Sequence, residues 1–197
     1  MPRIASIKKP MSKPPTEAPD ENELLRRVVK GDTAAFERLY LIYHSKLQRF
    51  ILRMTNRVDG VDELIQDTMM VVWEKAENFD YTCKPSTWIF GIAYRKALKS
   101  LAKNGRYDFM EDTDEMSEIL ADTRPTQAME LELVDWLGSA LTLLSPDQRA
   151  VLELTFHHGL HYKEIADILD CPENTVKTRM FHARKKLQHL AAELKKG

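Results

Sequence analysis

The stretch ENTVKTRMFHARKK, residues 173–186, places Asn174, Lys177 and Arg179 within six positions of one another, with Arg184, Lys185 and Lys186 close behind. Asparagine can meet a base edge, and lysine or arginine can neutralise a phosphate. Asn174 and Lys177 therefore suit base edges or phosphates, and Lys177 and Arg179 suit charge-assisted phosphate contact. A solvated helix face on a protein-interaction module would carry the same charges, and that reading stays open at this point. Other reactive residue types fail on spacing. His157 and His161 stand four apart with His158 between them, but Gly159 interrupts the helix that i, i+4 ligation would need. No cysteine or carboxylate stands beside them at zinc spacing, so a loop with solvent-facing imidazoles is expected and no metal site is assigned. Acidic residues are abundant without a catalytic pairing, and Gly60, Gly91 and Gly105 lack a phosphate-loop motif around them. No catalytic residue and no cofactor follow. Cys83 and Cys171 match neither a disulfide framework nor a ligand spacing, which points to a reducing cytosol.

The elements that must hold the basic group are legible from apolar periodicity. Val176, Met180, Ala183, Leu187 and Leu190 recur at steps of 4, 3, 4 and 3, one seam of a helix. Pro172 suits the first position of that helix because its missing N–H costs nothing there. The helix before it spans Tyr162 to Leu169, with Ile165, Ala166 and Leu169 on one face and Ala166 small enough for two backbones to cross closely. A short helix, a tight turn and a longer basic helix make the helix-turn-helix plan, whose second helix enters the major groove. Upstream, Ser145 caps a helix beginning at Pro146, and another helix runs from Ala128 to about Thr142.

The N-terminal half is also helical. A short helix ends at Gly31; a long one runs from about Thr33 to Thr55 with Asp32 as its N-cap; others span about Asp62 to Lys75 and Ser86 to Lys103. Between the halves, residues 104–129 are acidic, broken by Gly105 and Pro125, and carry at most one helical turn around Met116 to Leu120. So long a connection favours two domains over one. The expectation is all-α: a disordered extension over 1–20, a helical bundle over 21–103, an acidic flexible linker over 104–129 and a helix-turn-helix domain over 130–197. The Pro-rich N-terminus has no apolar run suited to a signal peptide, and no stretch approaches a membrane span, so no membrane insertion is expected. A net charge of −1 conceals an uneven distribution: residues 1–103 carry +5, residues 104–132 carry −7, and residues 133–197 carry +1. Basic regions inside a near-neutral total are compatible with a polyanionic partner.

Taken in order, these motifs resemble a known family. GLHYKEIADILDCPENTVKTRMFHARKKL resembles the promoter −35 reading region of bacterial RNA polymerase sigma factors of the extracytoplasmic function type. VDELIQDTMMVVWEKAENFD is similar to that family's core-polymerase-binding helix, and STWIFGIAYRKALKSL to its −10 melting helix. The likeness covers about residues 22–192. It implies a non-catalytic subunit that binds core polymerase through the beta-prime clamp helices and the beta flap, directs it to promoters and helps melt them. It implies a cytoplasmic protein that an anti-sigma protein clamps by covering both domains. Asp62, Glu63, Gln66 and Asp67 match the core-binding motif. For −10 DNA, duplex and single-stranded, the resemblance implicates Tyr81, Thr82, Lys84, Trp88, Arg95, Lys96, Lys99 and Lys103, with the loop from Phe79 to Lys84 cradling a flipped base. For −35 DNA it implicates Asn174, Thr175, Lys177, Thr178, Arg179, Phe181 and Arg184. The chain departs from the pattern in the melting helix: Gly91 replaces a frequent arginine, Tyr94 and Arg95 replace the end of an IARN run, and Lys99 stands at an aspartate position. The rivals are a helix-turn-helix regulator acting without polymerase, which leaves DELIQD and STWIFGIAY unexplained, and a helical interaction module, which leaves the Cys-Pro turn and basic helix unexplained.

Overall fold

The computed structural model describes residues 20–103 and 140–194. Among the described residues the fold is all-α. Helices α1 (Glu21–Val29), α2 (Thr33–Thr55), α3 (Val61–Lys75) and α4 (Pro85–Lys103) form one cluster, with a 3-10 turn at Ala76–Asn78. Helices α5 (Pro146–Phe156), α6 (Tyr162–Leu169) and α7 (Glu173–Leu194) form the second. Residues 1–19 of the N-terminal extension, the whole acidic linker with its expected turn around Met116 to Leu120, and most of the expected Ala128 helix lie outside the described residues; residues 140–142 are helical.

Local chemistry explains the boundaries. The Asp32 carboxylate accepts from the Ala35 N–H at 3.1 Å to open α2, and that bond, helped by Arg27, holds its pKa below the usual carboxylate range. The Ser145 hydroxyl accepts from the Gln148 N–H at 3.2 Å while the Gln148 carboxamide accepts from the Ser145 N–H, a capping box before α5. Gly60, with φ +82°, provides the left-handed entry to α3. The first cluster closes around Leu39, Tyr43, Leu47, Phe50, Ile65, Met69 and Ile89, all essentially inaccessible. Buried Tyr43 donates to the Glu21 carboxylate at 2.6 Å, tying α1 to α2; burial pushes its hydroxyl pKa up.

The two clusters share one apolar core. Helix α2 packs against α5, and α4 packs against α6. The key is α4, in which Ile89, Phe90, Gly91, Ile92, Ala93 and Tyr94 are all buried. A helix resting on one neighbour buries a stripe; six consecutive buried residues need cover from two sides. The Phe90 ring meets Phe50 at 5.3 Å and Tyr43 at 6.4 Å within the first cluster, and His158 of the second at 4.5 Å. His158 thus turns inward rather than facing solvent as the sequence suggested, because Gly159, at φ +63°, lets the chain bend back after α5.

Burial of His158, with Lys46, His157 and Arg49 nearby, lowers its pKa from 6.5 to about 4, and its Nε2 is buried without a hydrogen-bond partner. The neutral form is favoured by packing, so this contribution is fully present above pH 6.5 and is lost as pH falls towards 4, where only the unpacked chain gains the proton. Nearby Glu153 works in the opposite sense, its pKa raised by burial. A His158→Phe variant retains Glu153, so its melting temperature relative to wild type should climb as pH is lowered from 6.5 to 4; an unchanging difference would refute the assignment. Phe90→Ala should cost about 3 to 5 kcal/mol, read by denaturation of the full chain.

Candidate nucleic-acid interface

The turn between α6 and α7 forms where the sequence predicts, with Pro172 one position before the helix rather than at its first position. Asp170 is left-handed at φ 51°, the Cys171 N–H donates to the Ala166 carbonyl at 3.1 Å, and the Pro172 carbonyl accepts from Thr175 at 2.9 Å. Val176, Met180 and Ala183 are buried and Leu187 packs at the core's edge, so the expected seam faces inward. That leaves Asn174, Lys177, Thr178 and Arg184 exposed and Thr175 and Phe181 half-buried. Lys177 pairs with Glu173 one turn earlier at 2.8 Å, and Arg184 lies over the exposed Phe156 ring at 5.6 Å. Both cations can exchange those contacts for phosphate, since exposed pairs of this kind contribute little.

Arg179 has different surroundings. Its guanidinium pairs with Asp147 of α5 at 2.6 Å, reaches Cys171 Sγ at 3.7 Å and is largely covered. The other Asp147 oxygen accepts from the Tyr94 hydroxyl of α4 at 2.7 Å. One buried carboxylate therefore joins α4, α5 and α7.

Seven of the eight residues assigned to −10 DNA fall into two clefts. Trp88, Arg95, Lys96 and Lys99 line an open groove of about 330 Å³ between α3 and α4, with Lys75 and Asn78 on its far side. Four cations around an indole edge suit a nucleic-acid backbone beside a stacking surface. Lys96 is tethered to Asp67 at 3.0 Å, which links this groove to the acidic face of α3. On that face Asp62, Glu63, Gln66 and Asp67 are all exposed, while Leu64 is half-buried and Ile65 and Met69 are core. Lys103 is exposed at the end of α4, outside both clefts.

The second cleft, about 560 Å³, holds Tyr81, Thr82 and Lys84 together with Arg26, and its opposite wall is α6 with Lys163, Glu164 and Asp167. Thr82 donates through both its N–H and its hydroxyl to the Asp80 carboxylate, at 2.9 and 2.7 Å. Those bonds lower the Asp80 pKa and hold the loop so that Tyr81 adopts φ 60°, an uncommon setting for a tyrosine. Its ring stands edge-on to Phe79 at 4.7 Å with the Arg26 guanidinium 5.2 Å from its centre. Lys84 is paired with Glu164 at 2.7 Å, which lowers the Glu164 pKa. Sequence reasoning missed Asn22, Arg26 and Lys163 as partners in this cleft, since nothing local signals which helix will cover a loop. Burial raises the thiol pKa of both Cys83 and Cys171, which disfavours reactive thiolates. Among the described residues no cluster of His, Cys, Asp and Glu could hold a metal ion, and no helix is long and apolar enough to cross a membrane.

Arg179→Ala should cost about 2 to 3 kcal/mol of stability because it strands the Asp147 carboxylate in a covered site. Lys177→Ala should stay within about 0.5 kcal/mol of wild type. Equal denaturation midpoints for the two variants would refute the structural role of Arg179.

Comparison with known proteins adds a third line of support. Sigma-70 region 2 matches residues 39–107 and Sigma-70 region 4 matches residues 135–187. The RNA polymerase sigma-H factor of Pseudomonas aeruginosa is 28% identical over 188 residues, spanning 88% of this chain and 96% of that protein. RpoE of Bartonella quintana, solved in complex with the anti-sigma factor NepR, is 30% identical with a TM-score of 0.61, covering 80% of this chain and 96% of that one. CnrH, solved with the cytosolic domain of CnrY, shares the fold at 24% identity and a TM-score of 0.64, covering 90% of this chain and 98% of that one. With a region 2-like helical cluster and a region 4-like helix-turn-helix cluster in the family's order, the chain belongs to the extracytoplasmic function branch of the sigma-70-like RNA polymerase sigma factors.

Proposed function

We propose that this chain binds core RNA polymerase, directs it to specific promoters and aids their melting, as a non-catalytic cytoplasmic subunit of the holoenzyme. The observation that supports this most is the pairing, on one chain, of a cationic groove beside Trp88 with an exposed α7 face carrying Asn174, Lys177 and Arg184. Residues 21–103 serve polymerase and −10 DNA, residues 130–197 serve −35 DNA, and the acidic stretch 104–129 connects them by occupying polymerase surfaces built for nucleic acid. The exposed α3 residues Asp62, Glu63, Gln66 and Asp67 meet the beta-prime clamp helices, and the second domain meets the beta flap. In the −10 region, Arg95, Lys96, Lys99 and Lys103 hold the backbone and Trp88 offers a stacking edge. Tyr81, Thr82 and Lys84 receive an unstacked base, whose lost stacking a ring can replace. On the −35 side, Thr175, Thr178, Phe181 and Arg179 position the reading helix around Asn174. An anti-sigma partner is part of this reading, by analogy with the Bartonella RpoE complex.

Transcription in vitro tests it. Purified protein with sigma-free core polymerase on a library of genomic fragments should start transcripts at defined sites. A Lys177→Ala, Arg184→Ala double variant should cut initiation about tenfold or more. Specific duplex binding without core binding or initiation would support a polymerase-independent regulator instead. Binding to neither would point to an interaction module.

A further inference from the structure

The seam on which α7 rests sets the depth of that helix better than its rotation. Val176, Met180 and Ala183 are a branched, a flexible and a small side chain, and apolar contact of this kind has little directional preference. Base reading needs the rotation fixed. Side-chain tips lie about 5 to 6 Å from a helix axis, so a turn of about 20° carries them about 2 Å. A hydrogen bond tolerates only about half an ångström.

A directional bond meets that need. Arg179 leaves α7 on the flank between the seam and the exposed face, and its guanidinium pairs with Asp147 at 2.6 Å, where both side chains are largely covered. Asp147 is a firm anchor. It stands in the first turn of α5, directly after Pro146 and inside the Ser145–Gln148 capping box, and every residue from Asp147 to Leu154 is buried. Its carboxylate also complements the positive end of the helix dipole. The same guanidinium reaches Cys171 Sγ at 3.7 Å, in the turn that opens α7. On the exposed face, Thr178, next to Arg179, donates its hydroxyl to the Asn174 carbonyl at 3.0 Å. The exposed Asn174 carboxamide carries both a donor and an acceptor, and a two-bond match to an adenine edge requires both in place at once.

We infer that Asp147 is a positioning residue for −35 selectivity, holding α7 through Arg179 at the rotation that presents Asn174 to its base. Neither member of the pair touches DNA; Arg179, which the sequence suggests as a phosphate ligand, is turned towards α5 instead. Cutting the bond blurs the reading of bases. Phosphate contacts survive, because Lys177 and Arg184 are long side chains meeting a backbone that is the same at every step. The part Asp147 plays in promoter choice rests on the sigma reading; the bond itself does not.

Promoter discrimination reads this directly. Holoenzyme made from the full chain and sigma-free core polymerase is titrated on a promoter recovered from the fragment library and on the same promoter with its −35 element scrambled. The ratio of the two half-saturating concentrations is the discrimination. Asp147→Asn, which keeps the shape and removes the charge, should lower that ratio about five- to tenfold, with binding to the scrambled template and its salt dependence unchanged. Arg179→Gln should match it, and the double variant should lose no more than either alone, since all three break one bond. Arg179→Lys, which keeps the charge without the fork, should recover part of the ratio. Tyr94→Phe leaves the Asp147–Arg179 pair in place and should leave the ratio unchanged. Should Asp147→Asn fail to fold, Asp147→Glu keeps the charge, lengthens the arm and should lower the ratio by displacing the helix. Full discrimination in a folded, active Asp147 variant overturns the inference alone. So does an Arg179→Gln holoenzyme that weakens on both templates with a salt slope smaller by about one, the signature of a phosphate ligand. A wild-type protein that starts no transcript on any fragment overturns the sigma reading, and this inference with it.

Discussion

Helix α4 carries the constraint on which the rest of the molecule depends. Its residues from Ile89 to Tyr94 are buried in an unbroken run, and one neighbour cannot cover consecutive positions on a helix of 3.6 residues per turn. The α2 and α3 side supplies Phe50, Tyr43 and Met69; the other side is supplied by residues about 60 to 80 positions further along the chain. Because the same helix also presents Arg95, Lys96 and Lys99 to an open groove, it is at once the hub of the core and one wall of the candidate DNA surface. Whatever moves α4 relative to α6 changes both.

The polar groups at this junction are arranged so that few are left without a countercharge. Asp147 is buried yet receives a hydroxyl proton on one oxygen and a guanidinium on the other, which offsets the cost of taking a carboxylate out of water. Glu153 has Arg49 at 3.1 Å as a countercharge, but the oxygen facing it makes no hydrogen bond, and burial raises its pKa. Here the apolar part is concentrated around Phe90 and Ile168, and the polar part surrounds it.

Charge is distributed unevenly over the surface. The first turn of α3 carries acids that complement the helix dipole and stay in water, while α4 turns Arg95 and Lys99, and α7 turns Lys177 and Arg184, outward from apolar seams. The near-neutral total thus contains cationic faces on α4 and α7 beside an acidic face on α3.

How much of this was legible beforehand differs by element. The caps at Asp32 and Ser145, the seam of α7, the Cys-Pro turn and the all-α class rest on interactions within a few residues of one another. Local periodicity and turn chemistry therefore determined them to within a residue, as at α3 and α4, which begin at Val61 and Pro85. Family membership was legible for the same reason, through short motifs in a fixed order. What the sequence alone did not decide was how the two clusters meet. Phe90, Tyr94, Asp147, Glu164 and His158 are unremarkable by composition, and their roles depend on partners across the domain boundary. Arg179 reads locally as a phosphate ligand and stands in space as the partner of Asp147. Only tertiary structure decided these, because periodicity records which face of a helix is apolar and carries no record of what will cover it.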